Sequence, residues 1–366
     1  MSTYDKYACP ADTGGWDVPM SGSAHFSWEY DDGRQRLLDL YAKGKAKQWD
    51  AATRIDWSLD VDLGNPLGMA PEMSPLYGSP TYERLNDKER DELARHMVSW
   101  QWSQFLHGEQ GAAICASRLV ESVPDIDAKF YAATQVMDEA RHAETYARFL
   151  QDKLGLVYPI NTHLKALLDD TLTDSRWDMP YLGMQVLIEG VALAAFGVFR
   201  EASTTPLPKQ ILAYVMQDEA RHVAFGRLAL KDAYADLTSK EREEREDFVV
   251  EGCYLLRDRF QGREVWETLG FDVEECVQYV EHSPLMTAYR SLLFTRIVPI
   301  VKDIGLWGEK IQKAYADMGV LDYAGADIDA LMRDDERIAD AIDDEKALRA
   351  RASEVDATIS LGAVAT

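Results

Sequence analysis

The chain has 366 residues, 46% of them hydrophobic and 28% charged, and its 63 acidic against 39 basic residues leave a formal net charge of −24 at pH 7. That length can bury a sizeable core within one large helical domain with extensions. The charge speaks against nucleic acid or an anionic membrane surface as partner, and the scattered Cys9, Cys115, Cys253 and Cys276 form no Cys-x-x-Cys pair that would suggest a thiolate metal site.

Residues 1–80 read as a loop-rich N-terminal extension. They hold one expected helix, 34–49, and a Pro- and Gly-rich loop, 63–80, that would cover one end of a bundle or meet a partner without distinctive chemistry of its own. Four long helices are expected next, over about 81–121 (in one or two pieces), 127–154, 180–202 and 207–236. Thr238-Ser239-Lys240-Glu241 is a capping-box pattern that starts a further helix. Ser283-Pro284 opens another, which Pro299 should kink or end. An acidic, helix-prone tail begins near Asp327. The expected organisation is therefore an extension (1–80), a four-helix core (81–236), and additional C-terminal helices with the acidic tail (237–366). The apolar run around Glu189 reads as too short to span a bilayer. With no basic stretch followed by an apolar one at its start, the chain is expected to be cytoplasmic.

The most informative pattern is an internal repeat. VMDEARHAETYARFL, 136–150, returns in altered form as VMQDEARHVAFGRLAL, 215–230. Each copy holds Glu-x-x-His, Glu139 with His142 and Glu219 with His222, and residues three apart share a helix face. A lone pair of this kind is most simply a solvated face. Here, however, each copy has a glutamate 30 residues upstream, Glu109 and Glu189, and the midpoints of the two intervals, Pro124 and Thr204, fall in sequence breaks. Two antiparallel hairpins would then bring four ligand-bearing helices to one height. The settings agree: Glu189 lies among Leu187, Ile188, Val191, Leu193 and Phe196, and Glu109 near Phe105, Leu106, Ala112 and Ile114. A carboxylate buried there needs a partner, either a metal or an arginine such as Arg118 or Arg200.

Glu, Glu-x-x-His, Glu, Glu-x-x-His over four helices resembles the ferritin-like di-iron carboxylate proteins, across about residues 83 to 235. The resemblance implies an all-α chain: a ferritin-like four-helix bundle carrying a dinuclear metal site, with additional helices. Glu109, Glu139, His142, Glu189, Glu219 and His222 carry over as metal ligands to two Fe ions, Fe/Fe or Mn/Fe, with O2 as co-substrate. The implied enzyme is an O2-dependent oxidoreductase, a monooxygenase or oxidase acting on a small organic substrate. Its electrons would come from a separate reductase, since no flavin or nicotinamide motif is visible, and a homodimer is common among similar proteins. Asp138, Asp218, Arg141 and Arg221 flank the ligands in the two copies. In similar enzymes the Asp of one motif serves the His of the other, which pairs Asp218 with His142 and Asp138 with His222; the alternative is a set of ion pairs on helix surfaces.

Tyr146, one turn after His142, matches the position of the radical tyrosine in ribonucleotide reductase small subunits, so a redox or gating role stands beside a plain core role. Gln185, one turn before Glu189, would point a polar group into the pocket, and Gly111, Gly190 and Gly226 would leave space beside the metals. The rival readings are a reductase small-subunit-like radical protein and a non-enzymatic iron-storage protein. Among the oxygenases, acyl-carrier-protein desaturases need a basic docking face. The arylamine N-oxygenases add a His one turn before the second Glu-x-x-His, where this chain has Val215. Both branches are therefore placed behind the bacterial multicomponent monooxygenase hydroxylases and the oxidases related to the reductase small subunit.

Overall fold

In the computed structural model, which describes residues 24, 25 and 34–364, helix follows helix and no strand occurs among the described residues. The first helix, α1 (Gln35–Ala46), ends in a turn at Lys47, after which Asp50 caps the short helix Ala51–Arg54 through Ala52 and Thr53 N–H. The loop 63–80 then folds over the end of the bundle. Leu67 and Leu76 are buried, and the Leu67 carbonyl accepts the Thr204 N–H at 2.9 Å and the Ser203 hydroxyl at 2.7 Å. Gly68 makes this approach possible: its φ is +62°, and a Cβ there would lie 2.2 Å from Thr204 Oγ1.

After a short piece, Pro80–Arg84, a capping box of Asn86 and Glu89 starts α2 (Asp87–Ser122), which stops just before Pro124. α3 (Ile126–Arg148) returns antiparallel against α2 and runs into a π-helical turn, Phe149–Leu154, that Gly155 closes with φ +60°. A crossing helix, Thr162–Thr173, leads to Asp178–Tyr181 and a second π-helical segment, Leu182–Ile188, which passes directly into α4 (Glu189–Ala202). α5 (Pro206–Ala233), with proline in its first turn, packs back along α4 and also touches α3 and α1. The two repeat copies thus lie on α3 and α5, and their upstream glutamates lie on α2 and at the start of α4.

The remaining elements extend one continuous apolar core that reaches from Leu37 to Ala339. Thr238 and Glu241 form the expected capping box at the start of α6 (Ser239–Asp258). Ser283 caps Pro284–Leu292, and the chain breaks before Ile297–Asp303, so that Pro299 sits in a first turn where its missing N–H costs little. The acidic tail forms α7 (Ile328–Val364), packed along α5 and tied to the basic end of α1 by Lys43–Glu336 and Lys47–Asp340 at 2.8 Å, with Arg54–Asp343 at 2.8 Å beyond.

One expectation is corrected. The helical stretch Asp178–Ala202 is long and apolar enough to cross a membrane, with a mean hydropathy of 1.8 over its best window. Yet 78% of that window is buried inside the fold, so burial in the protein core accounts for its composition.

Candidate metal centre

The four helices bring Glu109, Glu139, His142, Glu189, Glu219 and His222 together in the bundle interior, where their exposures run from 0% to 5%. Ligand atoms of Glu109, Glu139, His142 and Glu219 all lie within 4.8 Å of one another, as do those of Glu139, Glu189 and His222. The two repeat-borne carboxylates reach both imidazoles. Glu139 places Oε2 3.4 Å from His142 Nδ1 and Oε1 3.2 Å from His222 Nδ1. Glu219 places Oε1 3.1 Å from His142 Nδ1 and Oε2 3.5 Å from His222 Nδ1. Glu109 adds an oxygen 3.3 Å from His142 Nδ1. The arrangement is two nitrogen poles spanned by two carboxylates, with one further carboxylate at each side.

The outer ring nitrogens are engaged elsewhere. His142 Nε2 lies 3.1 Å from Asp218 Oδ2 and His222 Nε2 lies 3.2 Å from Asp138 Oδ2, each to the aspartate of the opposite repeat. An N–H donated to aspartate at Nε2 leaves the Nδ1 lone pair facing the carboxylates, the tautomer a metal requires. Arg141 joins the two halves by donating to both Asp138 and Asp218, and Arg221, fully buried, donates to Asp218. Burial alone would push the Asp218 carboxyl up, but His142, Arg221 and Arg141 outweigh it and hold the pKa well below the ordinary range. Arg118 and Arg200, the alternative partners for the buried glutamates, are engaged elsewhere: Arg118 donates to the Asp174 carbonyl and Arg200 to Glu201.

The electrostatics of the six residues call for a cation. Burial, reinforced by the neighbouring carboxylates, drives Glu109 and Glu189 well above the usual carboxylate range. Burial pulls the two imidazoles down, yet the surrounding carboxylates raise both. Oε2 of Glu139, Glu189 and Glu219 and Nδ1 of His222 are buried without a hydrogen-bond partner among the described residues. Such groups are rarely left unsatisfied in a core. Mixed carboxylate and imidazole donors suit iron, manganese or zinc rather than a soft thiophilic ion. The donor set therefore fits two divalent ions.

Three further residues complete the centre, and sequence reasoning missed them. Gln135, one turn before Glu139, donates to Glu139 Oε1 at 2.9 Å and to Glu189 Oε1 at 2.8 Å, joining α3 to α4. Gln48 donates to Asp138 Oδ1 at 2.7 Å and accepts from Arg141, while Trp49 Nε1 donates to Asp218 Oδ2 at 2.7 Å. The N-terminal extension, through the end of its expected helix 34–49, therefore fixes both aspartates. The available signal was i−4 spacing for Gln135; nothing local marks Gln48 or Trp49.

Gln185 is fully buried and its Nε2 lies 3.4 Å from Gln135 Oε1, while its own Oε1 has no partner among the described residues. Tyr146 is fully buried, edge-on to Trp102 at 5.4 Å and near Phe105 at 5.6 Å, and its hydroxyl has no partner among the described residues. Burial and then Glu109, Glu219 and Glu139 keep its phenol protonated far above the ordinary value. Cys115 is buried as packing, its thiol 3.6 Å from the Pro180 carbonyl. The glycines do not open space beside the site. A Cβ on Gly111 would meet Leu168 at 2.6 Å, on Gly226 Gln185 at 2.5 Å, and on Gly190 Ile297 at 3.1 Å, so their role is close approach between neighbouring elements.

The space that does adjoin the centre is a cavity of about 30 Å³, bounded by Glu109, Glu189 and Glu219, by apolar side chains including Phe105, Met184 and Phe196, and by Arg259. A larger cavity of about 410 Å³ touches none of the six; Trp102, Phe199, Phe260, Trp266 and Tyr289 are among its walls.

Three solved structures are similar to the chain at low sequence identity. A variant of an R2-like ligand-binding oxidase with an anaerobically reconstituted Mn/Fe cofactor is 19% identical over 75% of this chain and 100% of that chain, with a TM-score of 0.44. Another variant of that oxidase, again with an anaerobically reconstituted Mn/Fe cofactor, is 18% identical over 76% of this chain and 100% of that chain, at a TM-score of 0.46. The ribonucleotide reductase Rnr4 homodimer from Saccharomyces cerevisiae is 12% identical over 74% of this chain and 83% of that chain, at 0.45. No curated protein sequence matches the chain. The family model described as p-aminobenzoate N-oxygenase AurF matches residues 29–305. That match overturns the placing of the N-oxygenases behind other branches. Val215 stands as a departure from that branch's pattern within the family, leaving no histidine one turn before Glu219. With well over half of its length matched, the chain belongs to the AurF family and is an oxygen-dependent oxidoreductase of ferritin-like, all-α fold.

Proposed function

We propose that Glu109, Glu139, His142, Glu189, Glu219 and His222 hold two metal ions, Fe/Fe or Mn/Fe, and that the protein oxygenates a small aromatic amine with O2, using electrons from a separate reductase. The carrying observation is the double span: Glu139 and Glu219 each place one oxygen at each imidazole. When bound, the metal pair supplies the electrons and the coordination positions for dioxygen activation. The protein's own residues do the rest. Asp138 and Asp218 hold the imidazoles in one tautomer, Gln135 fixes the Glu139 and Glu189 oxygens, and the apolar walls exclude water. The amine is suggested by the name of the family. Homodimerisation and a cytoplasmic location belong to the same reading.

The test is metal content, then oxygen uptake. Purified protein loaded anaerobically with Fe(II) is expected to hold about two ions per chain and to consume O2 faster when an aminoarene is present, with an N-oxygenated product by mass spectrometry. Protein that takes up no metal would overturn the ligand assignment; metal uptake with O2 consumption indifferent to any amine would overturn the substrate. A second reading, a radical protein, is favoured by the buried Tyr146 one turn from His142. A tyrosyl signal in the electron paramagnetic resonance spectrum, lost in Tyr146→Phe, would decide for it.

A further inference from the structure

The cavity of about 410 Å³ that touches none of the six ligands is of the size small-molecule sites have. One face of α2 forms a wall of it: Arg90, Ala94, Met97 and Gln101 recur at helical spacing and all bound the space. The loop 63–80 supplies a second wall, and Phe199, Phe260 and Tyr289 a third, with Tyr289 edge-on to Phe260 at 5.3 Å and to Phe199 at 6.0 Å. Phe199 in turn meets Phe105 at 6.2 Å, and Trp102, also in the wall, meets Tyr146 at 5.4 Å. These rings form an aromatic partition between this cavity and the small one beside the metal centre.

What distinguishes the walls is the set of groups they leave unpaired. Arg90 Nε, Gln101 Nε2, Trp102 Nε1 and the hydroxyls of Ser74 and Tyr289 are buried with no hydrogen-bond partner among the described residues, and all five residues bound the cavity. Gln101 is 5% and Trp102 0% exposed. The other two indoles of the wall are satisfied, Trp100 by Glu264 at 3.0 Å and Trp266 by the Gln261 carbonyl at 2.7 Å. Unpaired groups of this kind are rare in a core and each is costly, so five around one space call for an occupant. The three nitrogens can only donate, and the two hydroxyls are able to, so the occupant must bring acceptors. The charged residues in the wall are Asp87, Arg90 and Asp91, one cation against two carboxylates, and both carboxylates are exposed. Nothing there selects an anion.

We propose that this cavity is a second binding site, separate from the metal centre, for an uncharged aromatic molecule that carries carbonyl or ether oxygens. Its rings lie against the aromatic walls and its oxygens take the unpaired donors. Met69, Met73, Met97 and Met286 also bound the cavity, and their unbranched side chains let the walls fit occupants of differing outline. The assignment does not depend on the proposed oxygenase reaction, and its test needs no metal.

The experiment measures binding to the full-length, metal-free protein at pH 7 by equilibrium dialysis, with three probes: coumarin, naphthalene, which has the same two fused rings and no acceptor, and the anion coumarin-3-carboxylate. Coumarin is expected to bind, and the carboxylate to bind at least roughly tenfold more weakly, because desolvating its charge meets no net positive wall. Ala94→Trp fills the space and should abolish binding of coumarin and naphthalene alike. Gln101→Leu and Tyr289→Phe should each weaken coumarin roughly fivefold, the loss of one neutral hydrogen bond, and leave naphthalene unchanged. Circular dichroism checks that each variant is folded; should Ala94→Trp fail, Ala94→Phe carries the comparison. No binding of coumarin, binding undiminished by the filled cavity, equal losses for coumarin and naphthalene in the donor variants, or tighter binding of the carboxylate would each overturn the proposal. Failure to bind iron, with coumarin binding intact, would overturn the proposed function alone.

Discussion

Asp218→Asn removes a charge and almost no volume from the most heavily used carboxylate in the molecule. Asp218 is 0% exposed and takes donors from Trp49, Arg141 and Arg221 and the ring nitrogen of His142. The amide cannot accept from all four, and one of its oxygens becomes a donor group facing a guanidinium. Among the described residues Arg221, itself 0% exposed, has no other carboxylate within hydrogen-bonding reach and is left as a buried cation. Breaking a buried pair from one side costs about 3–5 kcal/mol. Denaturant titration of the metal-free protein at pH 7 should show a loss of that size. Asp138→Asn should lose less, since Arg141 keeps Asp218. The pH dependence follows from the sign of the shift. The Asp218 pKa is held below its unfolded value of about 3.9, so its contribution is full above that pH and fades as pH falls toward the folded value. Wild type and variant should therefore converge below about pH 4. A loss under about 1 kcal/mol at pH 7 would refute the view of Asp218 as the hub of a buried network.

In the metal-free protein the raised pKa values of His142 and His222 give stability that is complete below the unfolded value of about 6.5 and is lost as pH rises through the folded values. Its melting temperature should thus fall between pH 6 and 9, whereas Fe(II) affinity should rise over that range, with protons released on binding; a flat or rising melting curve would contradict this. Glu189→Ala and His222→Ala should lose bound metal in elemental analysis while keeping their helical circular dichroism, and two retained ions per chain would sink the ligand assignment. Tyr146→Phe should keep the fold and the metal within about 1 kcal/mol, since the deleted hydroxyl has no partner. Gly226→Ala should cost about 1–3 kcal/mol in thermal or chemical denaturation, because its Cβ would stand 2.5 Å from Gln185 Cβ.

What the sequence disclosed was whatever repeats at a helical spacing. Glu-x-x-His written twice, with glutamates at equal distances and turns between, predicted four helices and the cluster at their common height, and the breaks at Pro124 and Ser203–Thr205 are where the chain turns. Gln48 and Trp49 were out of reach for the opposite reason. They lie 90 and 169 residues from the aspartates they hold, and no periodicity connects a turn after α1 to the outer side of two imidazoles. The glycines misled because an absent side chain reads as space, whereas in a packed interior the neighbour moves in to fill it. The packing of the acidic, helix-prone tail was illegible for the same reason, since its partners, Lys43, Lys47 and Arg54, sit nearly 300 residues earlier.

The two ends of the chain therefore act on the same residues from outside the bundle. Trp49 holds Asp218 and stands beneath the Arg141 guanidinium at 4.7 Å, while Arg54, over the Tyr214 ring at 4.1 Å, meets Asp343 of α7 and Gln217, the residue before Asp218. Lys346 donates to the Arg54 carbonyl and the Tyr214 hydroxyl, which closes the circuit between the post-α1 segment, α5 and α7. These are long-range contacts around the outer side of the imidazoles, where a shift of the aspartates would rotate the rings and redirect Nδ1. Trp49→Phe separates the packing from the hydrogen bond. It keeps an aromatic face for Arg141 yet deletes the donor to Asp218, so it should leave the melting temperature within a few degrees of wild type and lower Fe(II) affinity roughly tenfold. A large loss of stability with unchanged metal affinity would instead make Trp49 a packing residue, and the hold on His142 would then rest on Arg141 and Arg221 alone.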